Sequence, residues 1–177
     1  MLANKNLPYY LIIIAIFLLL KLGFTRTDTE DLAFLLQPTD TLVGLLTGSH
    51  AVYASLTGYY HENIDVLIDK SCAGFNFWIM SFLIFTYLTI KYVDNSLVKV
   101  ITIPITLFGT YLLTIIVNTS RIFASIVIQT QTKTIFQNQQ HFIHESIGII
   151  TNVSFLVLCY VLTEKYLSKK RDNAKFT

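Results

Sequence analysis

Three side chains in this sequence pair reactivity with an unusual setting: Cys72, Arg121 and His144. Cys72 lies in Ser71-Cys72-Ala73-Gly74, a small polar turn that runs straight into the apolar stretch Phe75-Asn76-Phe77-Trp78. A helix N-terminus and a nearby cation, here Lys70, both favour the thiolate, which is the nucleophilic form of cysteine. A lone cysteine is otherwise a small buried hydrophobe, and Cys159, between Leu158 and Tyr160, reads that way. A lipoprotein cysteine fits poorly, because Asp69-Lys70-Ser71-Cys72 lacks the apolar residue expected before it and lies far from the N-terminus.

Arg121 is the one charge in an apolar run over residues 100–128. It either snorkels to headgroups or does chemistry, since ionisable residues within spans are costly and often functional. Asn118, three residues earlier on the same helical face, is placed to hydrogen-bond or orient its guanidinium. His144 has a neighbour in His141, and His141-Phe142-Ile143-His144 has the i, i+3 spacing of a metal-ligand pair. It is not His-Glu-x-x-His and has no second carboxylate motif nearby. His50 and His61 read as loop surface.

The elements that must position these groups are membrane helices. The chain has 177 residues, 53% hydrophobic and 14% charged, with mean hydropathy +0.56. Soluble domains carry about 25% charged residues, and here the apolar residues form long blocks. The expected fold is an all-α integral membrane protein, a single membrane domain over 1–177 with four spans near 8–24, 74–93, 98–120 and 145–163. The first block lacks a small-residue cleavage site and reads as a retained span. Its Lys21 snorkels to the interface. Pro104 is placed to kink the third span, and residues 129–140 read as a polar loop rich in Gln and Thr. The thirteen Phe and ten Tyr read as lipid-facing and interfacial packing.

The segment 25–73 carries its own local signals. Thr27-Asp28-Thr29-Glu30 fits a capping box with Thr27 as N-cap. The helix it starts is expected to stop at Pro38, and a second short helix to end near Gly48. Ile64, Val66 and Ile68 alternate with other residues at period two, which predicts a strand. Pairing with residues 52–60 through a turn at 61–63 gives a small β-hairpin before Cys72.

Charge sets the topology. The termini and the return after the second span carry Lys5, Lys91, Lys99, Lys165, Lys169, Lys170, Arg171 and Lys175, whereas the other two loops carry only Arg26, Lys70 and Lys133. The positive-inside rule puts both termini in the cytoplasm of a multi-pass cell-membrane protein and 25–73 outside. Span counting then brings Cys72, Arg121 and His144, separated by 49 and 23 positions, to one extracytoplasmic level. Cys159 falls about 20 Å deeper. Since a disulfide needs Cα atoms within about 7 Å, Cys72 is expected to be a free thiol.

Cys72-Ala73-Gly74, Asn118-Thr119-Ser120-Arg121-Ile122 and His144 followed by Gly148 together resemble the exosortase/archaeosortase family of membrane cysteine transpeptidases, over about half the chain. With so few spans the chain is similar to the compact exosortase K type. The resemblance implies a membrane cysteine protease or transpeptidase with Cys72, Arg121 and His144 as catalytic residues and Ser71, Asn118 and Asn76 as supporting ones. Its partners would be secreted proteins with a C-terminal sorting signal: a motif, a transmembrane helix and a basic tail. Neither metal nor other cofactor enters this chemistry, and the net charge of +2 gives no case for nucleic acid. Two other classes stay open: a non-enzymatic membrane scaffold or assembly subunit, and a metal-dependent membrane peptidase using His141 and His144.

Overall fold

A computed structural model describes residues 5–132 and 140–175, with side chains over 5–129 and 145–173. The chain runs α1 (Leu7–Arg26), a 3-10 turn (Glu30–Leu32), α2 (Ala33–Thr47), β1 (Ala51–Ala54), β2 (Gly58–His61), a second 3-10 turn (Glu62–Ile64), β3 (Val66–Ile68), a third 3-10 turn (Lys70–Cys72), α3 (Phe75–Tyr92), α4 (Ser96–Thr132) and α5 (Gln140–Lys175). Four stretches are long and apolar enough to cross a membrane: Leu7–Arg26, Lys70–Tyr92, Ser96–Gln129 and Glu145–Asn173. This is a membrane protein, mostly helical, with one small sheet. On α1 the residues Leu11, Ile12, Leu18, Leu19 and Leu22 are exposed, as are Ile149, Ile150, Val157 and Leu158 on α5. Such apolar surface is stable in hydrocarbon and costly in water.

The helices outrun the spans predicted for them. α4 continues 11 residues past Arg121, about 16 Å at helical rise, so residues 129–132 are helix where a loop was expected. It also passes Pro104 without a break in the helix. α5 starts before Glu145 and carries on through the basic tail. Residues 133–139 of the expected polar loop lie outside the described residues.

Contacts divide the chain into two compact units. One comprises Met1–Thr25, Asn76–Leu113 and Leu156–Thr177. Its apolar core is Ile13, Phe82, Ile90 and Ile103, with Tyr9, Tyr10, Ile16, Leu83 and Leu107 packed against it. Trp78 Nε1 donates to the Leu107 carbonyl at 3.0 Å. Asn95 caps α4, its Oδ1 accepting from the Leu97 and Val98 amides, which closes the short return after α3. Lys99 is buried, but its ammonium has Asn6 Oδ1 at 2.6 Å and the Tyr9 ring at 5.5 Å. Lys21 donates to Asn76 Oδ1 at 2.6 Å, so a side-chain amide takes the cation that was expected to reach for headgroups.

The other unit comprises Arg26–Phe75 and Thr114–Phe155. Its insert differs from the expectation in three ways. The first turn begins at Glu30 with Thr29, not Thr27, in the N-cap position, and the Asp28 amide donates to Asp31 Oδ2 at 2.9 Å. Pro38 does not end the helix: α2 runs through it to Thr47 and stops at Gly48, as expected. Pro38 forgoes one backbone bond, but Leu35, Leu36, Thr39 and Val43 are fully buried and hold the helix as one piece. The hairpin is a three-stranded antiparallel sheet, because β1 (Val52↔Tyr60) joins the pair of β2 and β3 (Tyr60↔Leu67); Ile64, expected in the last strand, lies instead in the 3-10 turn before it.

His61 is not loop surface. It is 1% exposed, with Nε2 at 2.8 Å from Asp40 Oδ1 and Nδ1 at 2.8 Å from Ser49 Oγ. Ser49 Oγ also lies 2.6 Å from Thr47 Oγ1. This chain of contacts ties α2 to β2. His50 is exposed. Burial holds the Asp40 carboxyl above the usual carboxylate range, while the charge and hydrogen bond of His61 oppose the shift. A carboxyl raised in the folded state binds more protons there than when unfolded. Stability therefore falls as pH rises from the ordinary carboxylate value through the raised one. His61→Ala removes the opposing influence and pushes Asp40 higher still. The expected loss is about 3 kcal/mol at pH 7 and smaller at pH 4, where more of the carboxyl is protonated. Pulse proteolysis of the detergent-solubilised variant at both pH values measures it. An equal loss at both would assign the whole effect to the missing ring volume.

Candidate active site

Cys72 is positioned by the third 3-10 turn, Lys70–Cys72. Asp69 caps this turn, its Oδ1 accepting from the Ser71 amide at 2.9 Å and from Ser71 Oγ at 2.6 Å. The Cys72 amide donates to the Asp69 carbonyl at 2.9 Å, and the Ala73 amide to the Lys70 carbonyl at 3.2 Å. The chain then turns into α3 at Gly74, with φ +68°. A Cβ at Gly74 would also lie 3.1 Å from Thr114 Cγ2 and 3.2 Å from Asn118 Cγ. Glycine is needed there twice over, for the left-handed backbone and for the close approach of α4.

That approach makes one contact of consequence. Asn118, 3% exposed, donates from Nδ2 to the Cys72 carbonyl. Sequence reasoning assigned Asn118 to the guanidinium of Arg121; its amide instead fixes the backbone of the cysteine. Lys70, read as a cation beside the thiol, donates to the Thr27 carbonyl. Ser71 stands next to the thiol, with Oγ 3.8 Å from Sγ, and Sγ lies 3.9 Å from the Leu67 carbonyl. Ser71 Oγ already gives its proton to Asp69, so its lone pairs face the thiol. Asn76 is exposed and engaged with Lys21 on α1. Both cysteines are free, and Cys159 is half-buried on α5.

Arg121 lies three residues beyond Asn118. Its Nε is buried and has no hydrogen-bond partner among the described residues. Its side chain packs on α5 at Gly148, where an added Cβ would lie 3.4 Å from Arg121 Cδ and 3.7 Å from Nη1. Gly148 shares a helix face with position 144, one turn earlier. The side chains of His144 and His141 fall outside the described residues; the backbone at both positions is in α5. Among the described residues no group of three His, Cys, Asp or Glu side chains is placed to hold a metal ion.

Cys72 also lines a cavity of about 170 Å³ with Asp65, Val66 and Leu67 on one side and Ile122, Ser125, Ile126 and Gln129 of α4 on the other. Sequence reasoning did not single out Ser125 or Gln129. The signal was present in the spacing: positions 118, 122, 125 and 129 make one stripe of an α-helix, and three of the four are polar.

In chemical terms, a firmly held thiol opens onto a cavity whose far wall is the helix that carries Arg121, half-buried and with its Nε unbonded among the described residues. No protein-family model, curated protein or solved structure matches this chain, so the functional reading rests on geometry and on the residues themselves.

Two substitutions test the positioning. Asn118→Ala leaves the Cys72 carbonyl without its donor, at an expected cost of about 1–3 kcal/mol. It should also speed alkylation of Cys72, which is only 8% exposed. Gly74→Ala forces an alanine into the left-handed region and should cost about 1–3 kcal/mol. Thermal unfolding in detergent reads the first quantity and iodoacetamide labelling with intact-mass detection reads the second. Unchanged labelling in Asn118→Ala would mean that the clamp does not control access to the thiol.

Proposed function

We propose that this protein is a membrane-embedded cysteine peptidase or transpeptidase of the exosortase kind, acting on the extracytoplasmic face of the cell membrane with both termini in the cytoplasm. The observation that carries the reading is the clamp of Asn118 on Cys72. It holds a free thiol against the segment of α4 that bears Arg121, and Arg121 in turn rests on the α5 face that includes position 144.

The reaction is acyl transfer through a covalent intermediate. Cys72 Sγ attacks a backbone carbonyl just outside the substrate's membrane helix, and the thiol proton passes to His144. The new C–S bond leaves the carbonyl oxygen as an oxyanion, which the Arg121 guanidinium stabilises in a site partly shielded from water. The C–N bond then breaks, and His144 returns its proton to the leaving amine. The resulting thioester is resolved by an amine, a hydroxyl or water. Such a substrate is a secreted protein ending in a recognition motif, a transmembrane helix and a basic tail. Anchored in the same bilayer, it presents its scissile bond at one depth, so a site fixed at that depth gains most of its positioning from the membrane.

The test is cleavage of co-expressed secreted proteins that end in this tripartite pattern. Cys72→Ala should abolish cleavage and, with it, a hydroxylamine-sensitive acyl adduct on the enzyme. His144→Ala is expected to slow the reaction about 10²–10⁴-fold, and Arg121→Ala about 10²–10³-fold. Cleavage that survives Cys72→Ala would sink the covalent mechanism.

A further inference from the structure

The cavity beside Cys72 is graded from floor to rim. Cys72, Ile122 and Ser125 on its floor are buried, whereas Asp65 and Leu67 at its rim are exposed. Its volume of about 170 Å³ corresponds to roughly five water volumes. That falls below the range of pockets that take a whole small-molecule ligand and suits a single side chain entering from the rim.

Ser125 gives the floor its chemistry. Elsewhere in these helices hydroxyls bond back to the carbonyl four residues earlier, as in Thr110 to Thr106, Ser120 to Ile116 and Thr89 to Phe85. Ser125 is 3% exposed, and its Oγ has no partner among the described residues. Ser81, Thr86 and Thr119 share that lack, but none of them lines the cavity of Cys72. A buried hydroxyl with unused donor and acceptor capacity, in a cavity of otherwise apolar floor, calls for a partner from outside. The rim discriminates by charge. Asp65, which accepts from Tyr60 Oη at 3.0 Å, disfavours acidic side chains, and the floor has no carboxylate to receive a basic one.

We infer that this cavity is the subsite for the substrate residue whose carbonyl Cys72 attacks, and that Ser125 selects there a small, uncharged side chain able to hydrogen-bond, of the Ser, Thr or Asn class. The inference rests on the reading of Cys72 as the nucleophile. Ser125 is a specificity residue and takes no part in bond making.

The experiment uses the full-length protein in detergent and peptidyl chloromethyl ketones that differ only in the residue next to the electrophile. Thr against Val is the isosteric pair, with Asp as the charged member. Each rate of Cys72 alkylation is read by intact mass and normalised to iodoacetamide on the same variant. The wild type should react with the Thr probe at least about tenfold faster than with Val, and slowest with Asp. Ser125→Ala should erase the Thr preference. Ser125→Thr keeps a hydroxyl in a smaller space and should retain a preference for Ser over Ala. Reaction of Cys72 with no Thr preference, or a preference that persists in Ser125→Ala, would overturn the subsite while leaving the nucleophile in place. Failure of every peptidyl probe to outpace iodoacetamide would overturn both.

Discussion

One hydrogen bond organises the unit that holds Cys72: the amide of Asn118 on the carbonyl of Cys72. Where the chain leaves the 3-10 turn and enters α3 through Gly74, the backbone departs from any regular ladder. Cys72 is buried there, so its polar backbone groups must be satisfied from within the protein. A buried side-chain amide on the neighbouring helix meets that demand. The same contact fixes the separation of α4 from the turn and so the place of the thiol. Gly74 is a consequence of it, since the backbones can approach this closely only if position 74 carries no Cβ.

The insert before Cys72 is the second half of the arrangement. Three short strands would be marginal alone. They are secured by the Asp40–His61 pair, which joins α2 to β2, and Leu32, Leu35, Leu36, Val43 and Ile68 of the same unit are all buried. Asp69 follows β3 directly and starts the turn that bears the cysteine. The sheet is thus continuous in sequence with the Cys72 thiol, and Leu67 of its last strand contributes both a carbonyl near Sγ and a wall of the cavity.

Charge is placed economically. Lys21, Lys70 and Lys99 each find a specific oxygen, on Asn76, Thr27 and Asn6 respectively. Arg121 is the exception, with a buried Nε left unbonded among the described residues.

Composition and local pattern determined much on their own. The four apolar helices, the end of α2 at Gly48, the extended run up to Ile68 and the freedom of both thiols follow from runs, periods and turn chemistry, which act between near neighbours. Local pattern misled where burial outweighed it: Pro38 stays inside α2 because its apolar face is fully packed, and α4 and α5 extend past the spans because helix propensity does not end where hydrophobicity does. Tertiary structure alone decided that Asn118 serves Cys72 rather than Arg121, that His61 is an interior ion-pair partner, and that Ser125 shares a cavity with the thiol. Each of these is a pairing between residues distant in sequence, 46 positions apart for Asn118 and Cys72. The energy of such a pairing comes from burial and exclusion of water, which exist only once the chain has packed.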